Sequence, residues 1–166
     1  GIAMGTRCGE LDPSILSYVM NKENMTPDQM NRMCNYESGL LGMTGVSSDM
    51  RDVEKGEEEG NARCAMARKV YSHRVAQYIG SYFVELGGCD AIVFTAGVGE
   101  NNIELRERVI SQLGYLGAEI DAEKNKIRGV EADVSAEGAK VRTLVIPTNE
   151  ELVIAQDTMA IAQSLK

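Results

Sequence analysis

The stretch DAIVFTAGVGENN, residues 90–102, decides how the rest of this 166-residue chain is read. Residues 91–95 are a short apolar, β-branched and aromatic run, residues 96–99 are small and flexible, and Asn101 or Asn102 can cap the amphipathic segment that follows. The pattern predicts a buried strand, a tight glycine turn and a helix start. Such a turn points backbone N–H groups and the positive end of a helix dipole at an anion with no side chain in the way, so a phosphate loop is predicted here. Glycine also serves strand-to-helix turns on steric grounds alone.

Outward from that stretch, Ile103, Val109, Ile110, Leu113 and Leu116 mark a helix closed by Gly114 or Gly117, and KVRTLVIP (residues 140–147) is a second β-branched run. A strand there beside the first gives helices packed on a largely parallel sheet, an α/β arrangement. The last helix begins at residues 148–151, where Thr148 and Glu151 are spaced as a capping box that leaves Glu150 free to point elsewhere. Its apolar positions include Leu152, Ala155, Met159, Ala162 and Leu165. Toward the N-terminus, Asp12-Pro13 and the Thr26 to Gln29 capping box each start a helix. Residues 36–48 read as a Gly- and Ser-rich loop with Leu40, Leu41 and Met43 in a buried patch, followed by a turn of helix capped by Ser48 or Asp49. The acidic Glu57-Glu58-Glu59 run reads as the solvated start of a helix. From Ala62 to Leu86 a 3.6-residue period makes the longest helix, stopped by Gly87-Gly88. His73 lies on that helix as a structural residue.

At 43% hydrophobic and 25% charged residues the composition is that of a folded globular unit, or of a piece of something larger. Seventeen Lys and Arg against 25 Asp and Glu leave a net charge of −8, which argues against a grip on the nucleic-acid backbone. A nucleotide remains compatible, because backbone amides, a few cations and a divalent ion hold it locally. No apolar run approaches a membrane span, and the first residues have neither the charged nor the apolar region of a signal peptide. Cys8, Cys34, Cys64 and Cys89 form no CxxC pair, and His73 is the single histidine, so zinc spacing is lacking and reduced thiols in the cytoplasm are expected. The chain opens without an initiator Met, and a processed or truncated protein is expected.

Four segments pair a flexible or strand-end backbone with a charge: residues 4–9, 47–51, 97–101 and 147–151. A dinucleotide fingerprint at Gly97-x-Gly99 fits poorly, since its third glycine position holds Asn102, and a Walker loop is excluded because no Gly-Lys-Ser/Thr occurs. In order, MGTRCGELDP (residues 4–13), SSDMRD (47–52), DAIVFTAGVGEN (90–101) and VIPTNEEL (145–152) resemble the C-terminal part of the acetate kinase family. Glu10 and Val98 depart mildly from the family's usual Asp and Ile, without touching a charge that the chemistry needs.

The resemblance covers essentially the whole chain. It implies an α/β fold similar to the actin, Hsp70 and sugar-kinase superfamily (ribonuclease H-like), with a mainly parallel sheet flanked by helices. Residues 1–150 would be the nucleotide-binding domain, and residues 151–166 a helix that packs on an N-terminal domain lying outside this chain. Without that partner the helix is expected to be displaced, self-associated or poorly ordered. The implied reaction is reversible transfer of the ATP γ-phosphoryl to acetate, giving acetyl phosphate and ADP. Arg7 matches the family's catalytic arginine, and a planar, permanently charged guanidinium suits charge on the equatorial oxygens. Asp49, Met50 and Arg51 match the nucleotide-contacting segment, Gly97, Val98, Gly99, Glu100 and Asn101 the loop along the nucleotide, and Glu150 the Mg²⁺-binding glutamate. The family's other half carries a second phosphate loop, the acetate pocket and further catalytic groups, so this chain alone is expected to be inactive. A homodimer is implied, with no nucleic acid and no membrane as partner. A propionate kinase is the first alternative, and a non-catalytic module for nucleotide binding or dimerisation the second.

Overall fold

The computed structural model describes residues 1–165. Two compact units follow each other along the chain, Gly1–Gly88 and a second beginning at Cys89.

The first unit is helical. Asp12 caps α1 (Pro13–Glu23) through the Ser14 amide, and Thr26 and Gln29 form the predicted capping box at the start of α2 (Pro27–Tyr36). Residues 36–48, expected as a loop, contain a third helix, α3 (Gly39–Thr44). Its first turn has no side-chain cap. Instead the Ser38, Leu40 and Leu41 amides donate to the Thr6, Met4 and Gly5 carbonyls at 2.9, 2.9 and 3.0 Å, so contacts distant in sequence complete a helix that local propensity does not favour. Asp49 caps α4 (Met50–Glu58), and Asn61 caps α5 (Ala62–Leu86), a 25-residue helix ended by Gly87.

The acidic run lies at the C-terminal end of α4, not at a helix start, where the dipole disfavours it. Arg68 of α5, only 4% exposed, compensates by pairing with Glu54 and Glu57. On α5 the buried stripe is Cys64, Ala67, Arg68, Ser72 and Ala76, while Met66 and Leu86 face outward. Leu40, Met50, Val53, Cys64 and Ala67 make the core of this unit, with Met43 and Tyr71 packed against it.

The second unit holds a three-stranded sheet, β1 (Ala91–Phe94), β2 (Ala132–Asp133) and β3 (Arg142–Val145), in the order β1-β3-β2. The predicted neighbours β1 and β3 are parallel, with Ala91 opposite Arg142 and Phe94 opposite Val145. Short β2 adds an antiparallel edge, so the sheet is small and mixed. Strand β1 is not buried on both faces as expected: Ile92 and Phe94 point into the core while Ala91 and Val93 are exposed. After β1 come α6 (Ala96–Asn101) and α7 (Ile103–Ile110), then a 3-10 turn (Gly114–Leu116). Leu105, Val109, Ile110, Leu113, Val134, Val141 and Val145 are buried, each worth about 1.5–3 kcal/mol when fully removed from water. The last helix, α8 (Glu150–Ser164), is fully formed yet buries none of its residues; Leu152, Met159 and Leu165 are 51%, 58% and 82% exposed.

Candidate functional site

Each unit carries part of the predicted site. In the first, residues 4–7 form a loop held on the amide end of α3, closed on itself by the Met4 amide donating to the Arg7 carbonyl at 3.0 Å. The loop fixes the Arg7 backbone while its side chain stays exposed, with no ion pair to it among the described residues. A guanidinium so presented is available to an anionic ligand.

Asp49 has two tasks. Its carboxylate accepts from the Arg51 amide at 2.9 Å as the cap of α4, and it takes the Arg51 guanidinium through Nε and Nη2, the latter at 2.6 Å. Ser47 braces this start, its hydroxyl donating to Asp52 and accepting from the Asp49 amide. Arg51 is 88% exposed at the side chain, so water screens the pair and exchanging Asp49 for a ligand's acceptor costs little. Met50, between them, is buried in the core at 7% exposure, which leaves its backbone as the part open to a ligand.

The Arg51 hydrogen bonds hold the Asp49 carboxyl down at about 2, from its ordinary 3.8. Since the folded-state value is lowered, what the pair adds to stability is fully present above the ordinary carboxylate range and is lost as pH falls toward about 2. An NMR titration of the side-chain carboxyl carbon should give that low midpoint, and Arg51→Ala should return it toward 3.8. An unshifted midpoint in the unmodified chain would show that the pair does not form in solution.

In the second unit the predicted glycine turn is a short helix. Thr95 precedes α6 without a side-chain cap bond, and the reversal is made by Ala96, whose φ of +58° is rare for a residue with a side chain. Gly97 and Gly99 both lie inside α6. A Cβ on Gly99 would come 3.3 Å from the Phe94 carbonyl carbon, so this glycine lets α6 sit close against β1. Asn101 bonds back to the Gly97 carbonyl, and Asn102 is the cap of α7.

Glu100 does not point away from the protein: its Oε1 accepts from the Thr148 amide at 2.8 Å and from the Thr148 hydroxyl at 3.2 Å. That contact overturns the predicted Thr148 to Glu151 box. Asn149 caps α8 instead, accepting from the Leu152 amide, and Glu150 and Glu151 share the first turn. The spacing reason for preferring Glu150 to Glu151 therefore falls, and Glu150 rests on the motif alone. The Glu100 to Thr148 link draws α6 and the start of α8 together past the C-terminal ends of β1 and β3. Between them is an open cleft of about 380 Å³ lined by Ala96, Gly97, Thr148, Asn149, Glu150 and Glu151. Crevices beyond the carboxyl ends of parallel strands are where α/β sheets bind ligands. Among the described residues no group of three or more His, Cys, Asp or Glu could hold a metal by itself. One carboxylate with phosphate oxygens and waters is nevertheless a normal Mg²⁺ arrangement, and the exposed Glu150 in this cleft fits it.

Sequence reasoning missed Arg106. Fully buried on α7, it donates through Nη1 to the Gly99 and Glu100 carbonyls at 2.8 and 2.9 Å. Its Nη2 reaches the Asn125 and Ile127 carbonyls, and its Nε the Asn125 side-chain oxygen at 2.7 Å. Burial pushes the guanidinium down, and neighbouring Arg128 adds to this while Glu107 opposes it. Arg128 itself donates to the Asn101 carbonyl at 2.7 Å. The carbonyl end of α6 is thus held by two arginines. Helical spacing carried the signal: 106, 109, 110 and 113 recur at i, i+3, i+4 and i+7, which sets a guanidinium in the buried stripe.

This α/β fold, of the sugar-kinase-like type, is shared with solved acetate and propionate kinases. The model of the Acetokinase family matches residues 1–156, and the chain belongs to that family. It is 56% identical over 163 residues to an acetate kinase of Desulfitobacterium hafniense. The crystal structure of Porphyromonas gingivalis acetate kinase matches with a TM-score of 0.91 at 40% identity, over 98% of this chain and 41% of that one. A propionate kinase structure from Francisella tularensis matches at 0.87, also at 40% identity, over 94% of this chain and 40% of that one. The chain covers 41% of the length of the Desulfitobacterium hafniense relative, with 98% of its own residues in the match.

Proposed function

We propose that this chain is the C-terminal, nucleotide-binding part of an acetate kinase, which transfers the γ-phosphoryl of ATP to acetate when joined to an N-terminal domain. In that reaction an acetate oxygen bonds to the γ-phosphorus as the bridge to ADP breaks, and the protein mainly positions groups and neutralises charge. Arg7 would meet the equatorial oxygens, Asp49 and Arg51 the ribose and adenine with the Met50 backbone, and residues 97–101 would run along the nucleotide. Glu150 would ligate Mg²⁺, which would supply positive charge to offset that of the phosphate oxygens. The observation that carries this reading is the cleft where Gly97 and Glu150 meet beyond the ends of β1 and β3.

Residues 1–150 would form the nucleotide-binding domain, and the unburied apolar residues of α8 support a helix that packs on the N-terminal domain. Homodimerisation and a cytoplasmic setting follow from the family resemblance. A propionate kinase is the second reading, favoured by the Francisella tularensis structure, whose 40% identity equals that of the acetate kinase structure.

Calorimetric titration of the chain with Mg-ADP tests the proposal. Saturable binding should weaken about tenfold in Arg51→Ala, which loses the contact to the base. In Glu150→Gln the dependence of binding on added Mg²⁺ should flatten. Absence of binding in the unmodified chain would remove this half as a nucleotide site in its own right, and tight binding by a completed enzyme without turnover would favour a non-catalytic module.

A further inference from the structure

Two cysteines distant in sequence meet in the first unit. Cys8 follows Arg7 in the N-terminal loop, and Cys34 lies in the last turn of α2. The Cys8 amide donates to the Cys34 carbonyl at 2.8 Å, while the Cys8 thiol donates to the Gly9 carbonyl and the Cys34 thiol to the Met30 sulfur. One such bond keeps the two Cα atoms within about 6.7 Å of each other, inside the range that a disulfide spans. Both thiols are half-buried, in contrast to Cys64, which is sealed in the core. Cys8 also lines a cavity of about 520 Å³ with Ala3, Glu10, Met33 and Arg74, which gives a small reagent a route to it.

We propose that Cys8 and Cys34 form a dithiol site that a low-molecular-weight disulfide, such as glutathione disulfide, oxidises to an intramolecular disulfide. The Cys8 thiolate attacks one sulfur of the reagent, forming a mixed disulfide and expelling one glutathione thiolate. Cys34 then gives up its proton and attacks the Cys8 sulfur, expelling the second. Two thiols of the protein are oxidised, the reagent is reduced to two thiols, and the protons pass to solvent and to the released thiolates. Burial, and next the neighbouring Cys8, push the Cys34 thiol up. Cys8 lines the cavity and Cys34 does not, so Cys8 is the attacking thiol and Cys34 the resolving one. The bond would tie the loop that carries Arg7 to the end of α2.

Incubation of the chain with glutathione disulfide at mildly alkaline pH, followed by alkylation, digestion and mass spectrometry, tests this. A linked Cys8 to Cys34 peptide lighter by two hydrogen atoms is expected, with Cys89, half-buried and remote in sequence, carrying glutathione as a mixed disulfide. Dithiothreitol should reverse both. In Cys34→Ser the resolving thiol is absent, so glutathione should remain on Cys8. Glutathione kept on Cys8 in the unmodified chain, or both thiols still alkylated under conditions that saturate Cys89, would overturn the proposal.

Discussion

Arg106→Leu is expected to cost the second unit about 3–5 kcal/mol and to loosen α6 before the sheet. The side chain fills a fully buried position and supplies donors to five acceptors, the carbonyls of Gly99, Glu100, Asn125 and Ile127 and the Asn125 side-chain oxygen. Leucine replaces much of the apolar stem but none of the donors. Each acceptor left unpaired away from water costs about 1–3 kcal/mol, and relief from burying a cation returns part of this. The net loss is therefore smaller than the sum. Arg128→Ala is the comparison, because an exposed guanidinium with one bond to Asn101 should cost less than about 1 kcal/mol. Urea denaturation followed by circular dichroism measures both, and hydrogen exchange of the amides of residues 97–102 reports whether α6 opens first. A loss below about 1 kcal/mol in Arg106→Leu would mean that another contact holds α6.

Elements whose signals are local could be read directly from the sequence. Asp12 with Pro13, the Thr26 to Gln29 box, Asp49 and Gly87 each complete a helix end with neighbours a few residues away, and all stand where expected. The strands at residues 91–94 and 142–145 could be read because β-branched runs leave few alternatives. What could not be read depends on residues far apart. Helix α3 has glycines at 39 and 42 and owes its first turn to carbonyls of residues 4–6. Helix α6 has glycines at 97 and 99, and arginines at 106 and 128 secure its far end. Thr148 is taken by Glu100, 48 residues earlier, which displaces the capping box that spacing alone favours. The candidate site follows the same division. Its residues were legible as motifs, whereas the burial of the Met50 side chain and the inward turn of Glu100 depend on packing that the motifs do not encode.

Gly39→Ala is expected to destabilise the first unit by about 2–4 kcal/mol and to shift the loop that carries Arg7. Gly39 has a φ of +61°, where a side chain costs roughly 1 kcal/mol before any contact is considered. A Cβ there would also lie 2.1 Å from the Met4 carbonyl oxygen and 2.8 Å from that of Arg7. Both obstacles are backbone, so no rotamer relieves them, and either α3 or the loop has to move. The loop is not free to yield at no cost: the Met4, Gly5 and Thr6 carbonyls serve the unpaired amides of the first turn of α3, and the Cys8 amide is bonded to Cys34. Moving it strips the first turn of α3 of those partners, since that turn has no side-chain cap to replace them. Denaturation measures the first effect. The second is read from hydrogen exchange at Ser38, Leu40 and Leu41, whose protection should fall together. A variant within about 0.5 kcal/mol of the unmodified chain, with those amides still protected, would mean that the loop accommodates a methyl group. Loss of protection would instead tie the placement of Arg7 to the absence of a single side chain at position 39, more than thirty residues along the chain.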